Sequence, residues 1–151
     1  MNIFKYKIVV FEKKTDSNEW KFVEFIEDNN KWSLTTCGDI VSDCRFLAHY
    51  NRQNAPESVG RVYEPLFCTG LNDKNGKLIF EGDIVKFKHS LERTGYEKTK
   101  NTFEIVTGYV GRNEYNHTVV ICDGSEWHIE NATKGEIIGN IYENKELLKE
   151  D

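Results

Sequence analysis

The sequence predicts an α+β protein that is mostly β. Three observations carry this reading. Apolar and polar residues alternate with a period of two through much of the chain, as they do on a pleated strand. Aromatic residues, which are favoured in strands, make up 13% of the 151 residues. The turn-forming pairs Asn75-Gly76 and Asp123-Gly124 punctuate the second half between short apolar runs. The hydrophobic content of 38% is enough for a packed core and excludes a chain that is disordered throughout.

The elements follow in order. Residues 5–11 place Tyr6, Ile8 and Val10 on one face of a strand. Residues 20–27 place Trp20, Phe22 and Ile26 on one face and Val23 and Phe25 on the other. The polar stretch 13–18 and Asp28-Asn29-Asn30 read as turns, the second leading into a strand at 31–35. This is a β-meander. The period then changes. Ile40, Val41, Cys44, Leu47 and Ala48 recur at helical spacing, with Asp39 placed to cap the first turn and Pro56 setting a far limit. The spacing predicts one helix from Ile40 to about Asn51, followed by a loop over residues 51–58. The second half reads as short strands at 61–63, 66–68, 78–80, 84–88, 103–110, 118–122, 127–129 and 136–142, the pattern of a small barrel or roll. Asn75-Gly76 predicts a type I′ hairpin turn, which needs positive φ at both central residues. Residues 143–151 form a short helix around Leu147 and Leu148, or fray. Gly38-Asp39-Ile40-Val41 recurs as Gly82-Asp83-Ile84-Val85, but four residues in different surroundings do not establish a repeat.

The net charge of −5 excludes a strongly basic protein that coats nucleic acid. No run approaches the roughly 20 apolar residues of a membrane helix. The opening Met1-Asn2-Ile3-Phe4-Lys5-Tyr6-Lys7 is too charged for the apolar region of a signal peptide. The expectation is a cytoplasmic protein without a membrane partner. Cys37, Cys44, Cys68 and Cys122 have irregular spacings and form no CxxC pair, so they read as free, small buried residues, with His49 near the first two.

No nucleophile elbow, phosphate-binding loop, dinucleotide fingerprint or HExxH occurs. No catalytic residue and no cofactor is expected, and the protein reads as a non-enzyme. An EF-hand around Gly76 would put Leu71 and Gly82 at ligand positions, and neither has a side-chain oxygen. Glu126, His128 and Glu130 alternate on a predicted strand. Alternate residues lie about 6.7 Å apart, so the outer pair is too far apart for all three to converge on one ion. A solvated polar face is the better reading, with a metal-dependent enzyme around His128 as an alternative. Residues 86–100 are the most basic stretch: Lys86, Lys88, Arg93, Lys98 and Lys100 stand against Glu92 and Glu97, with His89 and Tyr96 among them. Lys86, Lys88, Arg93, Tyr96, Lys98 and Lys100 are candidates for contact with nucleic acid or another partner, through phosphate contacts and base stacking.

Two motifs resemble a known family. They are Thr69-Gly70-Leu71-Asn72-Asp73-Lys74-Asn75-Gly76-Lys77-Leu78-Ile79-Phe80-Glu81-Gly82-Asp83-Ile84-Val85 and Ile137-Ile138-Gly139-Asn140-Ile141-Tyr142-Glu143-Asn144. They resemble the signature of the YopX family, small proteins encoded by phages and prophages of low-GC Gram-positive bacteria. Residues 39–65 and 87–135 match that pattern little. The resemblance implies an SH3-like β-barrel or roll for residues 65–151, after an N-terminal meander and helix in residues 1–64. It implies no activity. Gly70, Asp73, Asn75, Gly76, Glu81, Gly82, Asp83, Gly139 and Asn140 read as folding instructions: hairpin, tight turn, strand, closing strand. The expected function is a non-catalytic binding module in the cytoplasm of a bacterial host cell. Its partner is a host or phage protein, and it would act, for instance, as an inhibitor of a host defence or regulatory enzyme. Nucleic-acid binding through residues 86–100 is the alternative. Self-assembly through exposed strand edges is also open.

Overall fold

The computed structural model describes residues 6–14, 17, 19–26, 33–34, 40–42, 45–48, 51–90 and 103–149. Among these the protein is mostly β and antiparallel, with a half-barrel and little helix. The chain divides into two compact units, Met1–Cys68 and Thr69–Asp151.

In the first unit, β1 (Tyr6–Lys13) pairs antiparallel with β2 (Trp20–Ile26). Ile8, Val9, Val10 and Phe11 are all buried, so β1 is covered on both faces. A register shift between Val10 and Phe11 bends the pairing. Phe11 meets Phe22 edge to face at 6.5 Å. A separate meander links β3 (Ser33–Leu34), β4 (Ile40–Ser42) and β5 (Arg45–Ala48). This corrects the expected helix from Ile40 to Asn51. The helical spacing is real, but Ile40 and Val41 are β-branched, and pairing of β4 with β5 outweighs a weak local preference. Asp39, the expected cap, lies outside the described residues. So do Cys37, Cys44 and His49. The loop over residues 51–58 is present: Asn51 Oδ1 accepts from the amides of Gln53 and Asn54.

The strand β6 (Arg61–Asn72) joins what read as two short strands into one. Pro65 sits within it, opposite Ile8. In the second unit the end of β6 neighbours β7 (Leu78–Phe80). A five-stranded sheet follows, in the order β11-β10-β9-β8-β12. Its strands are β8 (Asp83–Ser90), β9 (Phe103–Arg112), β10 (Thr118–Cys122), β11 (Ser125–His128) and β12 (Glu136–Asn140). One helical turn, α1 (Glu130–Thr133), and a 3-10 helix, Lys145–Lys149, complete it. The core is Ile79, Val85, Phe87, Val106, Val110, Val120 and Ala132, with Trp127 and Ile137 packed at its border. Cross-strand partners Phe87 and Val106, and Val110 and Val120, share the inner face.

Turn chemistry decides the hairpins. Asp123 (φ 47°) and Gly124 (φ 76°) are both left-handed, as a two-residue type I′ turn requires. Asn75 is not: only Gly76 has positive φ, at 82°. The β6–β7 loop is instead a longer turn. The Gly76 amide donates to the Asp73 carbonyl, and the Asp73 amide to the Lys77 carbonyl. Asn113–His117 repeats this construction, with Asn116 as the left-handed residue.

Gly135 sets the approach of the chain before β12 to β8. A Cβ there would collide with the Lys86 carbonyl oxygen and stand 2.7 Å from Cβ of Phe87. Gly60 has open space around it. Gly135→Ala is therefore expected to lower stability in urea titration by roughly 2–3 kcal/mol. Gly60→Ala is expected to stay within about 0.5 kcal/mol of the parent.

Candidate functional site

The signature residues form three locks in the second unit. The first is Asp73, 6% exposed. Its Oδ1 accepts from the amides of Asn75 and Lys77, each at 2.9 Å, and its Oδ2 from the amide of Ile137 at 3.0 Å. The Lys74 amide adds a bond to the Gly135 carbonyl at 2.9 Å. Burial by itself pushes the Asp73 carboxyl up; the Ile137, Lys77 and Asn75 amides, with the charge of Lys77, bring it below the usual carboxylate value. Just before this lock, the Thr69 hydroxyl accepts from the Leu71 amide and donates to the Ile79 carbonyl, across a positive φ at Gly70.

The second lock is the turn into β8. Buried Asp83 accepts from the Phe80 amide at 2.8 Å. Gly82 (φ 90°) donates to the Val110 carbonyl and accepts from the Ile141 amide, at 2.8 and 2.9 Å. A Cβ on Gly82 would lie 2.9 Å from the Tyr142 ring. Glu81 pairs with Arg112 at 2.6 Å. The third lock follows β12. Asn140 Oδ1 accepts from the amides of Tyr142 and Glu143, and its Nδ2 donates to Glu143 Oε1. Gly139 leaves room for the Asn144 side chain. In all three locks the polar side-chain atoms are bound to the chain itself, most of them to its backbone.

The outer face of β8 and β9 is different. Lys86 and Lys88 are exposed and lie directly across from Thr107 and Ile105. Ile105 and Phe103 are 58% and 56% exposed, two residues apart on one face of β9. Among the described residues neither lysine's ammonium has an ion pair or hydrogen bond. Of the basic candidates, these two are on the sheet; Arg93, Tyr96, Lys98 and Lys100 lie outside the described residues. The exposure of Phe103 and Ile105 is the feature that sequence reading missed. Its trace is that β9 carries apolar side chains on both faces, only one of which meets the core.

Glu126, His128 and Glu130 do not share a strand: β11 ends at His128 and Glu130 opens α1. The Glu130 amide donates to His128 Nδ1 at 3.3 Å, and Glu126 takes the Asn113 side-chain amide. Among the described residues no group of three or more His, Cys, Asp or Glu could hold a metal ion. Cys68 and Cys122 are half-buried. Burial, with Asp123 and Glu104 nearby, pushes the Cys122 thiol up, away from the range of a reactive cysteine. In the first unit, a depression of about 440 Å³ is lined by Trp20, Asn51, Arg52, Gln53, Glu64 and Pro65. Its Arg52 is bonded to Glu64 at 2.9 Å and stacked 3.8 Å over Phe11. Among the described residues no helix is long and apolar enough to cross a membrane.

The family model described as YopX protein matches residues 66–149, more than half of the chain. The chain belongs to the YopX family. The match starts in β6 and ends in the 3-10 helix, so all three locks lie within it, and it takes in residues 87–135 as well. The outer face of β8 and β9 also lies within it. No curated protein matches the chain significantly.

Asp73→Ala leaves three amides without their acceptor and is expected to cost roughly 2–4 kcal/mol, read as a lower urea midpoint. The pH dependence has a definite sign. Because the folded carboxyl titrates below its unfolded value, its contribution is fully present above the ordinary carboxylate value of 3.8 and is lost as pH falls through the folded value. Acid titration of the parent against Asp73→Asn should show the difference in stability shrinking below about pH 4.

Proposed function

We propose that this member of the YopX family is a non-catalytic accessory protein of a phage or prophage that binds a protein of the bacterial host or of the phage, in the host cytoplasm. The observation that carries the reading is the exposed pair Phe103 and Ile105 on one face of β9. Two large apolar side chains more than half exposed, side by side on a regular strand, are a recognisable mark of an interaction surface. The signature carboxylates support a non-catalytic role. Asp73 and Asp83 are buried and bonded to backbone amides, which gives them structural work and no open group to offer a substrate. Inhibition of a host defence or regulatory enzyme is one form such binding takes.

A second reading has one observation in its favour. Lys86 and Lys88 are exposed cations on the face that also carries Phe103, one register step from Lys88, a combination that suits phosphate contact and base stacking. The net charge of −5 weighs against it.

Affinity capture of the tagged protein from host cells carrying the phage, with and without nuclease, tests both. The expected result is a stoichiometric protein that survives nuclease and is lost with the Phe103→Ser/Ile105→Ser variant. Retention that vanishes with nuclease would replace this reading with the second. Recovery of the bait alone would overturn both.

A further inference from the structure

We propose that the outer face of β8 and β9 receives an acidic, apolar segment of the partner, with two carboxylates spaced to meet Lys86 and Lys88 while neighbouring apolar side chains cover Phe103 and Ile105; this rests on the protein-binding reading above.

The geometry argues for that chemistry. Lys86 and Lys88 are two residues apart on β8, so their stems leave the sheet about 6.7 Å apart on the same face. Phe103 and Ile105 stand at the same spacing on β9, and Lys88 lies directly across from Ile105. Directly opposed side chains start about 5 Å apart, so one cation adjoins one apolar group. A segment that covers Ile105 therefore brings its next polar group to Lys88. An extended segment running along β8 with acidic residues at two alternate positions and an apolar residue at the next alternate position meets Lys86, then Lys88 beside Ile105, then the Phe103 end of the face.

The charge is complementary in sign and unused. Among the described residues neither ammonium has a carboxylate partner. Glu136 sits across from Lys86 in the register of β12, yet no ion pair forms between them. With Glu136 as the one carboxylate across from them, the two lysines leave this face net positive by one in a chain of net charge −5. Docking a carboxylate there desolvates little, because both lysines keep their open side to water.

Two other occupants fit worse. A second copy docked through the same face would offer the two lysines one carboxylate, Glu136, together with two more cations. Nucleic acid would meet the cations, but Ile105 has no ring on which a base could stack, and the overall negative charge repels phosphate at long range.

The test uses the full chain and short synthetic peptides, measured by fluorescence anisotropy. The peptides combine independently varied charge and apolar content, and single-stranded and duplex DNA serve as comparison probes. The expected result is binding of the acidic, apolar set, weakened by salt, and weakened about tenfold or more by Lys86→Glu/Lys88→Glu and by Phe103→Ser/Ile105→Ser. All four positions are exposed, and circular dichroism checks that both variants keep the parent fold. Equal binding of neutral apolar peptides, or no effect of the lysine reversal, would overturn the acidic partner while leaving protein docking at this face. Failure of every peptide to bind would overturn the inference, and the capture experiment then decides the protein-binding reading separately. Preference for DNA would overturn both.

Discussion

A carboxylate that is nearly shut off from water must have its oxygens filled, or it costs several kcal/mol. Asp73 meets that constraint with three amides. Two belong to its own loop and the third to Ile137, far along the chain. The first two shape the β6–β7 turn. The third ties that turn to β12. Charge-assisted bonds of this kind are shorter and stronger than neutral ones, so a single side chain sets both a local and a long-range contact.

The rest of the half-barrel follows from where that tie holds β12. The Lys74 amide reaches the Gly135 carbonyl just before the strand, and the Gly82 carbonyl takes the Ile141 amide just after it. β12 is thus gripped at both ends while it pairs with β8 in between. The grip leaves no space at Gly135, where the backbone lies against Lys86 and Phe87. It also leaves Tyr142 packed over Gly82. These glycines are required for two different reasons: Gly135 by close approach alone, and Gly82 by a left-handed backbone as well.

A sheet held this way presents its two faces to different surroundings. Val85, Phe87, Val106 and Val110 enter the core. Their neighbours on the same strands must point the other way, because side chains alternate on a strand. That puts Lys86, Lys88, Phe103 and Ile105 outward together on one face. Apolar groups gain by leaving water, while the lysines keep their hydration. A surface with both properties on a firmly held sheet suits a partner with matching chemistry better than it suits solvent alone.

Much of this was legible locally. The period-two patterning and the turn pairs mark nearly every strand of the second unit, and Asp123-Gly124 adopts the turn its residues prefer. The two signature motifs also contain the residues that lock β12. Other features depended on contacts that no window of sequence contains. Residues 40–48 carry a helical spacing, yet β4 and β5 form because a pairing partner is present. Asn75-Gly76 carries the signal of one turn and forms another, because the Asp73 carboxylate claims the amides of Asn75 and Lys77. The alternation of Glu126, His128 and Glu130 ends where β11 gives way to α1. In the second unit, residues within a few positions of one another set which segments extend and, at Asp123-Gly124, how the chain turns. That Asp73 meets Ile137 and that Phe103 and Ile105 stay in water follows from long-range packing, since both depend on which face of each strand the rest of the chain covers.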